Sequence, residues 1–492
     1  MKYVVILILF TVSLFSQQHP PKREFRGVWL ATVVNIDWPV SSSVSSGEKI
    51  LELVKIFDKL DSAGINAVFF QVRTECDALY NSSIEPWSYW LTGEQGSTPN
   101  PYFDPLAFAI SEAHNRGMEL HAWLNPYRAV RKIGDYKISP NHISITHPDW
   151  ILNFDDYKML NPGIPEVKKY IVNVVMDIVN KYDVDGIHFD DYFYPYTPHI
   201  SNEDSDTFKK YGAGFSNIDD WRRYNINSLM KMVYQNIKSG KPEIKFGISP
   251  FGIVENRYAG TKGFESYHRI YCDPVNWLDE KIVDYITPQV YWPVDSKNAG
   301  YGKLVKWWSK ITYPAQLYIG QFSSKFSATD YKNFKTETLE QLKLNRNTTN
   351  VSGEVFFSAK SIFLNYGGLF DSLKNNYYKF PALIPVVTEI DSIPPFPPFN
   401  MQIIDSNDTK IITWENPSPA EDGDIPSYYI VYGFNANEIP DTGNPAKILK
   451  ILRKKIENQY IIDKKKEISS VVITSLDRMR NESRDNPFIV IK

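Results

Sequence analysis

Cysteine is nearly absent from this chain: Cys76 and Cys272 are the only two in 492 residues. They allow at most one intrachain bridge and cannot build a four-thiolate zinc site, so the fold must stand on its hydrophobic core. Charge of one sign is missing as well. Lys and Arg total 54 against 57 Asp and Glu, a net charge of −3, which leaves no field to hold a phosphate backbone or an anionic membrane surface. Nucleic acid is therefore not an expected partner. The eight histidines are scattered without ligand spacing, so no metal and no cofactor is expected. Beyond the N-terminus no apolar run approaches the ~20 residues of a membrane span. The N-terminal run, Val4 to Phe15, follows Met1-Lys2-Tyr3 and ends at the polar break Ser16-Gln17-Gln18. That is the order of a secretory signal peptide, expected at 1–16 and leaving a periplasmic or secreted protein without stable membrane insertion; an uncleaved anchor is the alternative.

Aromatic residues, by contrast, are plentiful: 12 Trp, 31 Tyr and 28 Phe, 14% of the chain. Flat amphipathic rings stack on sugar faces, which makes carbohydrate the ligand class to test. Short apolar runs alternate with helical patterns, the signature of successive βα units. The expected strands are Phe25–Thr32, Ala67–Arg73, Glu119–Leu124, Gly186–Asp190, Lys245–Ser249, Tyr285–Val290, Leu317–Gly320 and Gly353–Phe357. Eight such strands predict an α/β fold, a (β/α)8 TIM barrel over 22–383. An open doubly wound sheet fits the same alternation, but no glycine-rich phosphate turn follows any of the strands.

From 384 to 398 a proline-rich stretch, with Pro394-Pro395-Phe396-Pro397-Pro398, predicts a stiff linker. Alternating runs over 399–492 predict a small all-β immunoglobulin-like sandwich. Trp414, the run Tyr428-Tyr429-Ile430-Val431-Tyr432 and the ending Ser475-Leu476-Asp477-Arg478 resemble a fibronectin type III domain. It is expected to act as a spacer, with residues 394–492 dispensable for chemistry.

Active sites of (β/α) barrels lie at the C-terminal ends of the strands. The fourth run ends Ile187-His188-Phe189-Asp190-Asp191-Tyr192, two adjacent carboxylates among rings. Neighbouring carboxylates push each other's pKa apart, as acid/base chemistry requires, so Asp190 and Asp191 are the expected catalytic pair. Capping the next helix or holding a structural cation are the alternatives. A polar wall for substrate is expected from Arg73, Asp77, Asn125, Tyr127, Arg128, Tyr192, Gln289, Tyr291 and Trp292 at the other strand ends. Arg73 and Arg128 suit a carboxylate of the substrate, unless salt bridges within the protein consume them.

The blocks Arg23-Glu24-Phe25-Arg26-Gly27-Val28-Trp29, Gln71-Val72-Arg73, Ala122-Trp123-Leu124-Asn125-Pro126-Tyr127-Arg128, Ile248-Ser249-Pro250-Phe251-Gly252 and Pro288-Gln289-Val290-Tyr291-Trp292, with the fourth-strand block, resemble the glycosyl-hydrolase-like 10 family. The resemblance implies a bacterial envelope (β/α)8 glycoside hydrolase acting on peptidoglycan glycan strands of N-acetylated sugars, particularly strands stripped of stem peptides. The family is also distantly similar to α-amylase-type retaining barrels, where Asp190 takes the nucleophile's place. No acid stands at the end of the fifth strand, and Glu255 is the nearest carboxylate in the loop that follows. A variant in which the substrate's own 2-acetamido group is the nucleophile, with Asp190 and Asp191 as the pair that orients the group and donates the proton, accounts for the adjacency of the two acids. The rival of another class is a non-catalytic polysaccharide- or cell-wall-binding protein, which fold alone does not exclude.

Overall fold

Eight short apolar runs, rich in β-branched and aromatic residues, form eight strands: β1 (Phe25–Leu30), β2 (Ala67–Arg73), β3 (Glu119–Leu124), β4 (Gly186–Phe189), β5 (Lys245–Ile248), β6 (Tyr285–Ile286), β7 (Gln316–Gln321) and β8 (Val351–Phe357). Each pairs in parallel with its sequence neighbours, and β8 pairs with β1 to close the barrel. The computed structural model describes residues 20–327 and 334–491. The expected signal peptide lies outside the described residues. Among them, no helix is long and apolar enough to cross a membrane.

Helices between the strands cover the barrel with one apolar stripe each. In α1 (Ser46–Ser62), Leu53, Ile56, Phe57 and Leu60 recur at helical spacing and are buried, while Ser45 and Glu48 form a capping box at its start. Each such side chain contributes about 1.5–3 kcal/mol relative to exposure. The barrel axis is filled by rings, among them Phe25, Trp29, Phe69, Trp123, Tyr285 and Tyr318. Two glycines make room for them. A Cβ on Gly247 would stand 2.2 Å from the Tyr285 ring, and one on Gly186 would stand 2.3 Å from His121.

Most strand ends lie within two residues of the expected ones, and two larger departures stand out. β6 stops at Ile286 rather than Val290, because Pro288 has no N–H for the ladder, and pairing resumes only as single bridges from Gln289 to Phe251 and Gly320. Between β3 and β4 the chain makes an unforeseen antiparallel sheet of Arg128–Val130, Ile151–Asn153 and Lys158–Leu160. Cys76 and Cys272 are buried and unpaired.

After the barrel come β9 (Phe399–Asp405), β10 (Thr409–Glu415), β11 (Tyr428–Phe434), β12 (Ile448–Arg453), β13 (Asn458–Asp463), β14 (Ser470–Leu476) and β15 (Phe488–Val490). They form two antiparallel sheets, β9-β10-β13 and β12-β11-β14-β15. Period-two alternation along β11 sends Tyr429 and Val431 into a core shared with Ile412, Trp414 and Ile462 of the other sheet. It sends Tyr428, Ile430 and Tyr432 the opposite way, into a second core that includes Leu383 from the end of the barrel. The four-stranded sheet is thus covered on both faces, which a free spacer would not be.

Candidate active site

Strand β4 ends at Phe189, so Asp190 and Asp191 emerge at the C-terminal mouth of the barrel. His188 faces the axis two residues below, its ring stacked on Phe69 at 4.1 Å, and burial keeps it neutral by lowering its pKa well below the usual range. Asp190 Oδ2 accepts hydrogen bonds from Trp123 Nε1 at 3.0 Å and Asn125 Nδ2 at 3.3 Å, and its Oδ1 accepts one from the backbone N–H of Tyr192 at 3.3 Å. Burial pushes the Asp190 carboxyl up to about 6, against the pull of the Arg128 charge and these three donors. Asp191 accepts a short hydrogen bond from the Tyr196 hydroxyl. Burial and then the neighbouring Asp190 charge push it up to about 7, opposed by Tyr196 and the Gln289 side chain. The two acids are chemically distinct: both accept hydrogen bonds, but Asp190 has the Arg128 cation beside it and Asp191 has the Asp190 charge.

Asn125 joins this pair to the next element, because its Oδ1 accepts the backbone N–H of Arg128 at 2.9 Å. The Arg128 guanidinium donates through Nε to the Thr74 carbonyl at 3.0 Å and lies over the Tyr192 ring at 4.9 Å. Tyr192 is 36% exposed, at the mouth. A wall of rings runs from it through Tyr196 at 5.3 Å, then Phe251 at 6.3 Å, then Trp292 at 5.6 Å. Tyr291 packs on Phe322 at 5.0 Å, and Gln289 Nε2 donates to the Ser249 carbonyl at 3.0 Å.

Three residues of the expected polar wall are not there. Arg73 is wholly buried and spends its five N–H donors within the protein: Nε at 2.9 Å and Nη2 at 2.7 Å on Glu85, Nη2 again on Cys76 Sγ at 3.0 Å, and Nη1 on the carbonyls of Asn125 and Pro126. It braces the turn that carries Asn125 and has nothing left for a ligand. Asp77 closes its own loop, accepting from Thr74 Oγ1 at 2.8 Å, the Glu75 N–H at 3.1 Å and Gln95 Nε2 at 3.3 Å. Tyr127 points into the apolar shell under the helices, with no exposed surface. Glu255 is taken up by Arg257 at 2.7 Å and His268 at 3.2 Å; although burial raises its pKa, these bonds hold it below the ordinary value.

Two side chains beyond the expected catalytic pair and binding residues hold the acids, Trp123 and Tyr196. Trp123 shares the inward face of β3 with His121 and Asn125, so period two identifies it as a partner of β4. Tyr196 lies in an irregular loop, where no periodicity points its hydroxyl at Asp191.

The family profile of the glycosyl hydrolase-like 10 group matches residues 24–336. Glycosyl hydrolase YngK of Bacillus subtilis (strain 168) is 37% identical over 509 aligned positions, 98% of this chain and 97% of that protein. Glycosyl hydrolase DigH of Escherichia coli (strain K12) is 39% identical over 365, 68% of this chain and 83% of that protein. Among solved structures, α-L-fucosidase isoenzyme 2 from Paenibacillus thiaminolyticus aligns with 72% of this chain and 49% of its own, at 14% identity and a TM-score of 0.47, too loose a likeness to argue from.

Proposed function

The chain belongs to the glycosyl hydrolase-like 10 family, and we propose that it hydrolyses glycosidic bonds in strands of N-acetylated sugars, with Asp190 and Asp191 as the catalytic pair. The observation that carries this reading is the unequal setting of two adjacent buried carboxylates. Asp190, with three donors and the Arg128 charge, is the one that stays ionised and stabilises positive charge on the sugar or holds its 2-acetamido group. Asp191, beside that negative charge, keeps its proton near neutrality and delivers it to the departing oxygen. Glu255, engaged with Arg257 and His268, is left out of the mechanism.

Peptide-poor peptidoglycan is the substrate this reading favours. The ring wall from Tyr192 to Trp292 suits a chain of sugars, and Arg128 at its edge suits the lactyl carboxylate of an unsubstituted muramic acid. A stem peptide would turn that carboxylate into an amide and add bulk. On this reading the apolar run Val4 to Phe15 is a secretory signal that sends the enzyme to the periplasm or outside the cell, and the two-sheet module is fibronectin type III-like. The experiment is a digest of purified sacculi, with and without prior amidase treatment, read by mass spectrometry and by new reducing ends. Faster release from amidase-treated sacculi is expected. Glycan retained in a pull-down with no new reducing ends makes the protein a binder, and equal rates on both sacculi remove the peptide-poor assignment.

A further inference from the structure

The sandwich meets the floor of the barrel along β11, where Leu383 packs, and through the turn of residues 477–482, closed by the Asp477 N–H on the Asn481 carbonyl at 3.2 Å. Arg478 donates to Asp183 Oδ1 at 2.6 Å and to the Val184 carbonyl at 2.7 Å, gripping the chain just before β4. Arg480 takes a left-handed backbone (φ 70°), which side-chain-bearing residues rarely adopt, and is 2% exposed. Its Nε reaches Glu119 Oε1 at 3.3 Å at the base of β3, and its guanidinium lies over Tyr428 at 4.5 Å. Glu119 is also paired with Lys245 at 2.7 Å at the base of β5.

From Glu119 a hydrogen-bonded chain climbs the barrel axis. Glu119 Oε2 meets His121 Nε2 at 3.1 Å, His121 Nδ1 meets the Tyr285 hydroxyl at 2.9 Å, and that hydroxyl meets His188 Nδ1 at 3.1 Å. For neutral imidazoles the proton directions follow from His188 Nε2: Trp29 Nε1, which only donates, bonds it at 3.1 Å, and the Ser249 hydroxyl, which is able to donate, lies 3.0 Å from the same atom. His188 must carry its proton on Nδ1 and donate to Tyr285. Tyr285 must then donate to His121 Nδ1, and His121 must donate from Nε2 to Glu119. Asp190 stands two residues above His188, just past the end of β4.

We propose that Arg480, with Arg478, is a positioning residue of the active site: the sandwich holds the bases of β3 and β4, whose far ends carry Trp123, Asn125, Asp190 and Asp191, and orients the buried ring ladder beneath them. The kinetic side of this inference rests on the glycosidase reading; the ladder itself does not. The module is then part of the catalytic framework rather than a detachable spacer.

The test uses the full chain. Arg480→Gln is expected to melt cooperatively and to lose tenfold or more in kcat on amidase-treated glycan, with KM within twofold of wild type, and Arg480→Lys is expected to return kcat to within threefold. An Arg480→Gln kcat within twofold of wild type, a loss confined to KM, or no rescue by lysine overturns the proposal. Should Arg480→Gln fail to fold, histidine-selective 15N labelling of wild type and Arg480→Met decides, the methionine keeping an apolar stem over Tyr428 and losing the donors to Glu119. Wild type with the proton of His188 on Nδ1 and that of His121 on Nε2, and imidazole signals of both that move together in Arg480→Met, support it. Opposite tautomers, or signals that stay in place, overturn it. A folded wild type that cuts no glycan defeats the glycosidase reading, and the NMR comparison still decides the ladder.

Discussion

Trp123 Nε1 donates to Asp190 Oδ2 at 3.0 Å, tying β3 to β4 at the mouth of the barrel. Asp190→Asn keeps the shape of this contact and loses the charge, so hydrolysis should fall by about 10²–10⁴-fold. Trp123→Phe keeps the ring and loses the donor. A hydrogen bond to a charged group is worth about 1.5–3 kcal/mol, which predicts a kcat/KM loss of about 10- to 100-fold. Steady-state kinetics on soluble glycan check both, and Asp190→Asn turnover within tenfold of wild type would remove Asp190 from the mechanism.

Activity should trace a narrow bell against pH. The working form needs Asp190 ionised, so the rate climbs as pH rises through about 6, and Asp191 protonated, so it falls again above about 7. Because the acids are adjacent, the two limbs report the pair rather than either residue. In Asp191→Asn the alkaline limb should disappear along with most of the rate. A full bell in that variant, measured from pH 4 to 9, assigns the limb to another group.

Burying these acids has a stability consequence. Asp191 sits at about 7 in the fold and near 3.9 when unfolded, so the folded state binds its proton more tightly. The stability this contributes is fully present below about pH 4 and is lost as pH rises through about 7. Asp191→Asn should therefore stabilise the chain by about 2–4 kcal/mol at pH 9 and change little at pH 4. Denaturant titrations at the two pH values test this, and a gain of equal size at both would show that charge is not its cause.

The ends of β2 and β3 are read from the sequence to the residue, because apolar runs bounded by turn chemistry carry their own limits. The position of Asp190 and Asp191 at the barrel mouth is legible for the same reason: they end such a run. What local pattern does not contain is who meets whom. Arg73 and Asp77 end or follow a strand as a ligand-binding residue would, yet Arg73 finds Glu85, twelve residues on, and Asp77 folds back on Thr74. Tyr127 adjoins Asn125 and Arg128 in the chain but points into the shell instead of the mouth. The docking of the sandwich was hidden likewise, since Arg480 and Glu119 are 361 positions apart.

Arg73 should behave as structure, not as substrate contact. Both partners of the Arg73–Glu85 pair are fully buried, and removing one leaves an uncompensated charge that costs about 3–5 kcal/mol. Arg73→Met is expected to lower the melting temperature sharply, and the double variant Arg73→Met/Glu85→Leu to recover part of the loss. A variant that melts like wild type and loses affinity only for carboxylate-bearing glycans would return Arg73 to the binding site.

Arg128 is the expected cation that remains in place for a ligand, and it separates substrate classes. Its Nε is engaged by the Thr74 carbonyl, while the guanidinium plane lies over Tyr192 within the electrostatic reach of Asp190. Arg128→Gln therefore has two effects, and substrate choice distinguishes them. Losing the charge beside Asp190 raises that carboxyl further and moves the acid limb of the pH profile upward for every substrate. Losing a donor for a lactyl carboxylate costs about 1.5–3 kcal/mol of binding, a rise in KM of about 10- to 100-fold, only for glycans that carry the free acid. Strands with the carboxylate amidated should show the shifted limb and an unchanged KM. If KM rises equally on both, Arg128 acts through Asp190 and Tyr192 alone, and the preference for peptide-poor strands must come from the shape of the ring wall.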